Sequence, residues 1–359
     1  MAGSDAEAGV MAGGGRYAES STTQHGAAGL GLSLIEPAAA RAELEADGPL
    51  LIADFGAAEG TNSLLPIGAA LDTFARRAPG RPVFVVHTDI PGNDFSGLCE
   101  TLERSPQRYT ARHPEALPLM AGRSLYDRIF PAGRLRFGWT ASTLHWLSEA
   151  PGTVRGHFFV QLSDDAEAKA RFAARSAADW RRFLDARAAE LAPGAGVVIV
   201  DVAMDEEGTM GSEALFECLN RALASCHERG TLDAGELERI AYPTWFRSAA
   251  EMRAPFAPTY EAAGGERLEL VELQPTILPD PFDPHGDPGS YARSQVAFLS
   301  GFLAPSFAAA LREDRTPDER SAALDAVWSL TRDYIAADPV AVSPRYRLVA
   351  ALIARVSRA

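Results

Sequence analysis

The stretch Ala53-Asp54-Phe55-Gly56-Ala57-Ala58-Glu59-Gly60-Thr61-Asn62 has the make-up of a loop that admits a ligand. An apolar run ends in Asp54 and Gly56, small residues let a ligand approach the backbone, and a helix begins. Open α/β sheets take their cofactors at such strand ends. Gly56 and Gly60 are four apart with Glu59 between them, so the dinucleotide fingerprint GxGxxG is absent. A carboxylate at that helix start repels a pyrophosphate, which favours a ligand without phosphates. The same spacing also suits an ordinary small-residue turn.

Three further groups could do chemistry. Asp89, in His87-Thr88-Asp89-Ile90-Pro91-Gly92-Asn93-Asp94-Phe95, ends the next apolar run. A carboxylate there can accept two hydrogen bonds from ribose hydroxyls, or it can cap the turn that Pro91-Gly92-Asn93 makes. Ser124 and Leu125 pair a polar group with an apolar one, as the edge and face of an adenine require. His145 and Trp146 are adjacent, and a buried indole N–H needs an acceptor. A substrate carboxylate meets that need, and so does a core carbonyl. Ser21 and Gln24 are three apart, on one side of a helix or at its exposed start.

Strands and helices must carry these groups to one place. Residues 50–56, 83–88 and 197–202 are mainly apolar runs of the kind found in buried parallel strands, and Leu135, Phe137 and Trp139 alternate in another. Ile67, Ala70, Leu71 and Phe74 share one helical face, with Pro66 in the first turn. Residues 166–192 read as a long helix presenting Trp180, Phe183, Leu184, Ala188 and Leu191. Strands alternating with helices predict a mostly parallel, doubly wound sheet. Beyond residue 205 the pattern changes. Helices are expected over 212–226, 291–312 and 317–337, and a strand over 267–273. A loop holds Tyr242, Pro243, Trp245 and Phe246. Residues 346–356 suit a final strand or a short helix.

The bulk properties exclude several functions. The 359 residues carry a formal net charge of −14, which argues against a nucleic-acid partner and against an anionic membrane surface. Cys99, Cys218 and Cys226 form no metal-binding spacing. No run is apolar enough to span a bilayer, and the Gly/Ala/Ser-rich start lacks the pattern of a signal peptide. A soluble, cytoplasmic protein is the expectation.

Five blocks in order, GGGRYAESSTTQ, IADFGAAEGTN, TDIPGNDF, SLYDRIFP and STLHWLS, resemble the SABATH carboxyl methyltransferases. That family acts on salicylate, benzoate, jasmonate and indole-acetate, with related N-methyltransferases. The resemblance runs from about Met11 to the C-terminus, is dense to Pro151, and thins through YPTWFRSAAEM. It implies a Rossmann-like class I methyltransferase sheet with an α-helical cap, S-adenosyl-L-methionine as cofactor, a small carboxylic acid as substrate, and a homodimer. It divides the chain into a core (1–204), cap (205–265), core strand (266–276), cap (277–340) and final core strand (341–359).

Residue by residue, the resemblance assigns Ser21 and Asn62 to the methionine end of the cofactor, with Asp54 and Gly56 lining the same loop. Asp89 holds the ribose beside Ile90, and Ser124 and Leu125 hold the adenine. Gln24 and Trp146 bond the acceptor carboxylate. Tyr17, Ser142, His145 and Trp245 shape the substrate pocket, and Gln24, His145 and Trp146 are the candidates nearest the chemistry. Two positions depart from the family: Ala12 stands nearest a usual Lys, and Ser142 replaces a Tyr. Glu238-Arg239-Ile240-Ala241 replaces the family's Asp-x-Phe-Asn, so no Mg²⁺ is predicted. Three competing functions remain: an O- or N-methyltransferase acting on a non-carboxylate small molecule, a nicotinamide-dependent oxidoreductase, against which the missing GxGxxG counts, and a non-catalytic cofactor-binding protein.

Overall fold

The computed structural model describes residues 22–357. Among the described residues, eight strands form one sheet: β1 (Leu50–Phe55), β2 (Val83–Asp89), β3 (Ala116–Gly122), β4 (Leu135–Ala141), β5 (Leu191–Val202), β6 (Thr259–Glu261), β7 (Arg267–Pro279) and β8 (Arg345–Arg355). Their order across the sheet is β3-β2-β1-β4-β5-β8-β7-β6. β1 to β5 are mutually parallel, and β8 runs antiparallel between β5 and β7.

The helices are α1 (Thr22–Leu30), α2 (Leu32–Arg41), α3 (Leu64–Arg77), α4 (Phe95–Arg104), α5 (Ala166–Glu190), α6 (Glu213–Glu228), α7 (Ala234–Arg239), α8 (Ala249–Arg253), α9 (Pro288–Ala310), α10 (Pro317–Ala337) and α11 (Pro339–Val342).

The runs are apolar at nearly every position because both faces of the sheet are covered. Leu50, Ile52, Val85, Phe137, Trp139, Val198 and Val200 point to one side, where α2 and α3 add Ile35, Ile67, Leu71 and Phe74. Ala53, Phe55, Val86, Leu135, Val197 and Ile199 point to the other, against Trp180, Phe183, Leu184 and Ala188 of α5. A third cluster joins α6, α9 and α10 above the sheet, built on Phe216, Phe298, Phe302 and Phe307 and reaching down to Tyr346 of β8. This is the helical cap over a Rossmann-like sheet.

The differences from expectation lie where local pattern is weak. β3 is absent from the sequence reading because Leu117, Leu119 and Met120 lie at the sheet edge, exposed and bounded by polar turns. Leu191 starts β5 rather than ending α5, since Ala192-Pro193-Gly194 breaks the helix. β7 runs on to Pro279 because β8 pairs with it along its whole length. The 346–356 run is a strand, fixed by neighbours on both edges.

Candidate active site

The sheet order reverses between β1 and β4, and the ends of β1, β2, β4 and β5 bring the predicted residues to that crevice. Gly56, Ala58 and Gly60 all have positive φ (77°, 46° and 82°), coiling the loop after β1 tightly. A β-carbon at Gly56 would lie 2.3 Å from the Thr143 side chain, so only glycine fits there. The loop is tied down by Gly56 N–H and Ala57 N–H, both donating to the Thr88 carbonyl, at 2.8 and 3.0 Å. Asn93 Nδ2 donates to the Ala58 carbonyl at 3.0 Å.

Asp89 ends β2, half-buried, and accepts from Ala58 N–H at 2.7 Å and Ile90 N–H at 2.8 Å. Burial, with the Asp54 charge nearby adding to it, raises its carboxyl to about 6 against the pull of those two N–H groups. Asp54 is buried at the end of β1. Asn62 sits in the single turn Thr61–Ser63 before α3, and its Oδ1 is buried with no partner among the described residues. Ile90 is half-buried beside Asp89.

Ser124 and Leu125 follow β3 and are half-buried. Arg123 N–H donates to the Asp89 carbonyl at 2.6 Å, which draws this loop against β2. An ion pair with no exposed surface holds the loop from below. Arg187 binds Glu190 Oε2 at 2.8 Å and donates to the carbonyls of Leu125 and Asp127 at 2.8 and 3.0 Å. Glu190 in turn accepts from Ile129 N–H and from Phe130 N–H, the latter at 2.9 Å. The Tyr126 hydroxyl reaches the Leu144 and Trp146 carbonyls at 3.0 and 2.5 Å, clamping this loop to the one after β4.

Beyond β4 the chain turns through Ser142, a non-glycine residue at φ 53°. A cavity opens here. Ser142, His145 and Trp146 line it, with Ser212, Phe216, Tyr242, Phe246, Phe298, Phe302 and Tyr346. His145 Nδ1 is 2.7 Å from Asp201 Oδ1, and its Nε2 is 3.3 Å from the Tyr242 hydroxyl. Trp146 packs edge-on to Tyr242, with ring centroids 4.9 Å apart. No Lys or Arg side chain is among the described residues lining the cavity.

The structure thus brings together Asp54, Gly56, Asn62, Asp89, Ile90, Ser124 and Leu125 at the crevice, and Ser142, His145 and Trp146 at the adjoining cavity. Trp245 does not join them. Its backbone pairs with His145, but its ring packs with Leu147, Val160 and Phe172, and its Nε1 donates to Glu251 at 3.0 Å. The neighbouring Phe246 takes the wall position, as alternation along an extended segment requires. Tyr17 and Ser21 lie outside the described residues. Gln24 falls within α1, but its side chain lies outside what is described.

Sequence reading missed Asp201, which looked like the end of a strand, and Phe298, Phe302 and Tyr346, which come from segments more than 150 residues downstream of Trp146. The phase of α9 puts Phe298 and Phe302 on one face, a usable signal that nothing local linked to His145.

A model of the family described as SAM dependent carboxyl methyltransferase matches residues 8–260. A jasmonate O-methyltransferase of Arabidopsis thaliana is 27% identical over 298 residues, covering 72% of this chain and 74% of that one. A gibberellic acid methyltransferase of the same plant is 25% identical over 299 residues, covering 74% of each. Among solved structures, a loganic acid methyltransferase with S-adenosylhomocysteine superposes with a TM-score of 0.76 at 17% identity, covering 97% of this chain and 99% of that one.

Proposed function

Since the chain belongs to the SAM-dependent carboxyl methyltransferases, we propose that it esterifies a small acid with one carboxylate and an apolar or aromatic body. The observation that carries this is the junction of crevice and cavity: the Gly56 loop touches Thr143, and three residues on Trp146 lines an aromatic space with no Lys or Arg among its described lining residues. A second anionic group on the acceptor would meet no Lys or Arg among the described lining residues, and burying it unpaired is costly.

The crevice suits S-adenosylmethionine. Asn62 Oδ1 offers an unmatched acceptor to the methionine ammonium, and the cradle at Gly56 and Gly60 is one that a β-carbon would fill. Asp54 lines the same end, Asp89 holds the ribose beside Ile90, and Ser124 and Leu125 border the adenine. When bound, the cofactor supplies a sulfonium methyl group, a carbon electrophile with a good leaving group.

The protein's own task is to position the acceptor. A carboxylate is already ionised at neutral pH, so no base is required. The Trp146 N–H, with Gln24 assigned beside it on the strength of the family resemblance, orients one oxygen without taking a proton. His145 and Ser142 shape the wall. Holding the nucleophile in line and excluding water supplies several kcal/mol of the barrier reduction.

The test is incubation with labelled S-adenosylmethionine and a panel of acids. Base-labile methyl esters from aromatic or alicyclic monocarboxylates are expected. Preference for dicarboxylates or for sugar acids would overturn the acceptor class. Homodimerisation, supported by the family resemblance, and cytoplasmic residence, supported by three unpaired thiols, belong to the same reading. Analytical ultracentrifugation tests the first and cell fractionation the second.

A further inference from the structure

A buried hydrogen-bond chain runs beneath the cofactor loop and takes no part in the transfer described above. Asp54 and His87 are register partners across β1 and β2. His87 Nδ1 lies 2.8 Å from Asp54 Oδ2, and His87 Nε2 lies 2.9 Å from the Tyr109 hydroxyl. Tyr109 comes from the single turn Tyr109–Ala111 that precedes β3. His87 and Tyr109 have 0% exposure and Asp54 1%.

Counting protons gives the chain a direction. Burial and the Asp54 charge push the Tyr109 hydroxyl above its ordinary pKa, so it keeps its proton. Its only acceptor among the described residues is His87 Nε2. That nitrogen therefore carries the lone pair, while Nδ1 carries the proton and donates to Asp54 Oδ2. The tautomer is assigned from this network. The opposite tautomer would strand the Tyr109 proton in the core without an acceptor, at the cost of an unmatched buried donor.

Oδ2 of Asp54 is thereby committed to the His87 ring, and Oδ1 is the oxygen this chain of hydrogen bonds does not use. Stability alone does not call for this arrangement, because apolar residues of similar volume often replace buried polar groups at no cost. We propose that His87 and Tyr109 are positioning residues for the cofactor, holding the Asp54 carboxylate so that its second oxygen meets the cationic methionine end of S-adenosylmethionine. The proposal rests on the reading that Asp54 lines that end of the site.

The test is calorimetric titration of the full chain with S-adenosylhomocysteine, together with KM for each substrate. The double variant His87→Leu/Tyr109→Phe removes the chain without leaving an orphan hydroxyl. Its Kd is expected to rise about tenfold, with the cofactor KM following and the acid KM unchanged, as for loss of a hydrogen bond to a charged group. His87→Asn, whose amide nitrogen falls where Nδ1 was, should restore most of the affinity. Tyr109→Phe alone deletes one oxygen, and gives a reading even if the double variant fails to fold. A rise of about threefold is expected for it.

Unchanged Kd in Tyr109→Phe and in the double variant, with only a lower melting temperature, would overturn the proposal and leave the chain a structural element. Asp54→Asn separates the two levels. If it too leaves Kd unchanged, the placement of the methionine end at Asp54 fails. If it alone weakens binding, that placement stands and the positioning role falls.

Discussion

His145 Nδ1 and Asp201 Oδ1 lie 2.7 Å apart, both side chains nearly buried, in the wall of the aromatic cavity. Asp201 also accepts from Val202 N–H at 3.0 Å, so its carboxylate is fixed and it fixes the imidazole in turn. Asp201→Asn keeps the shape and can offer N–H to the ring, reversing which imidazole nitrogen carries the proton. Steady-state kinetics should show kcat/KM for the acid falling about tenfold while the cofactor KM holds, the scale of a charge-assisted hydrogen bond. Equal losses for both substrates would mean that the pair only supports the fold.

Trp146→Phe removes an N–H and keeps an aromatic ring against Tyr242. The acid KM should rise and kcat fall, together costing about 1 kcal/mol in kcat/KM. The cofactor Kd should not move. Full activity would take the indole out of acceptor binding.

Asp89 titrates near 6 in the folded protein, raised from 3.8 chiefly by burial. Ribose hydroxyls need the ionised form as acceptor. Cofactor affinity should therefore be constant above pH 7 and decline as the pH falls through 6. The sign for folding is opposite: a raised carboxyl pKa means that the ionised form costs stability, a cost relieved between pH 6 and 3.8. Acidification should weaken cofactor binding while this one group's contribution to the melting temperature of the free protein improves. Asp89→Asn should flatten the affinity profile; a profile identical to that of the parent would dissociate Asp89 from binding.

Gly56→Ala meets two penalties, a φ of 77° and a methyl 2.3 Å from Thr143. Strain of about 1–3 kcal/mol is expected from the backbone alone. Because Thr143 belongs to the loop that carries His145, cofactor binding and acid turnover should both suffer. Thr143→Ala in the same chain should recover part of the loss by making room. Absence of any such rescue would show that the contact does not couple the two loops.

The doubly wound core was legible because its strands are covered on both faces and its helices on one, and each condition leaves its own period in the sequence. Leu50 to Phe55, Val83 to Thr88 and Val197 to Val202 all read correctly for that reason. β3 did not, since an edge strand with Leu117 and Leu119 in solvent has neither signature. At the crevice, Asp54, Gly56 and Asp89 stand at strand ends where turn chemistry marks them. In the cavity the signal fades: Phe298, Phe302 and Tyr346 reach His145 only through the packing of the cap. Trp245 and Phe246 are one residue apart on an extended segment, so one faces the cavity and the other cannot. Composition alone does not choose between them.

β8 lies inside the sheet, yet it is the last of the strands in chain order. A ribosome therefore delivers β5 and β7 with open edges and releases the strand that joins them only afterwards. Until residues 345–355 emerge, those edges are templates for pairing with other chains. Tyr346 and Leu348 arrive with the same strand, so the nascent chain has no finished wall for its acid until that last strand is in place.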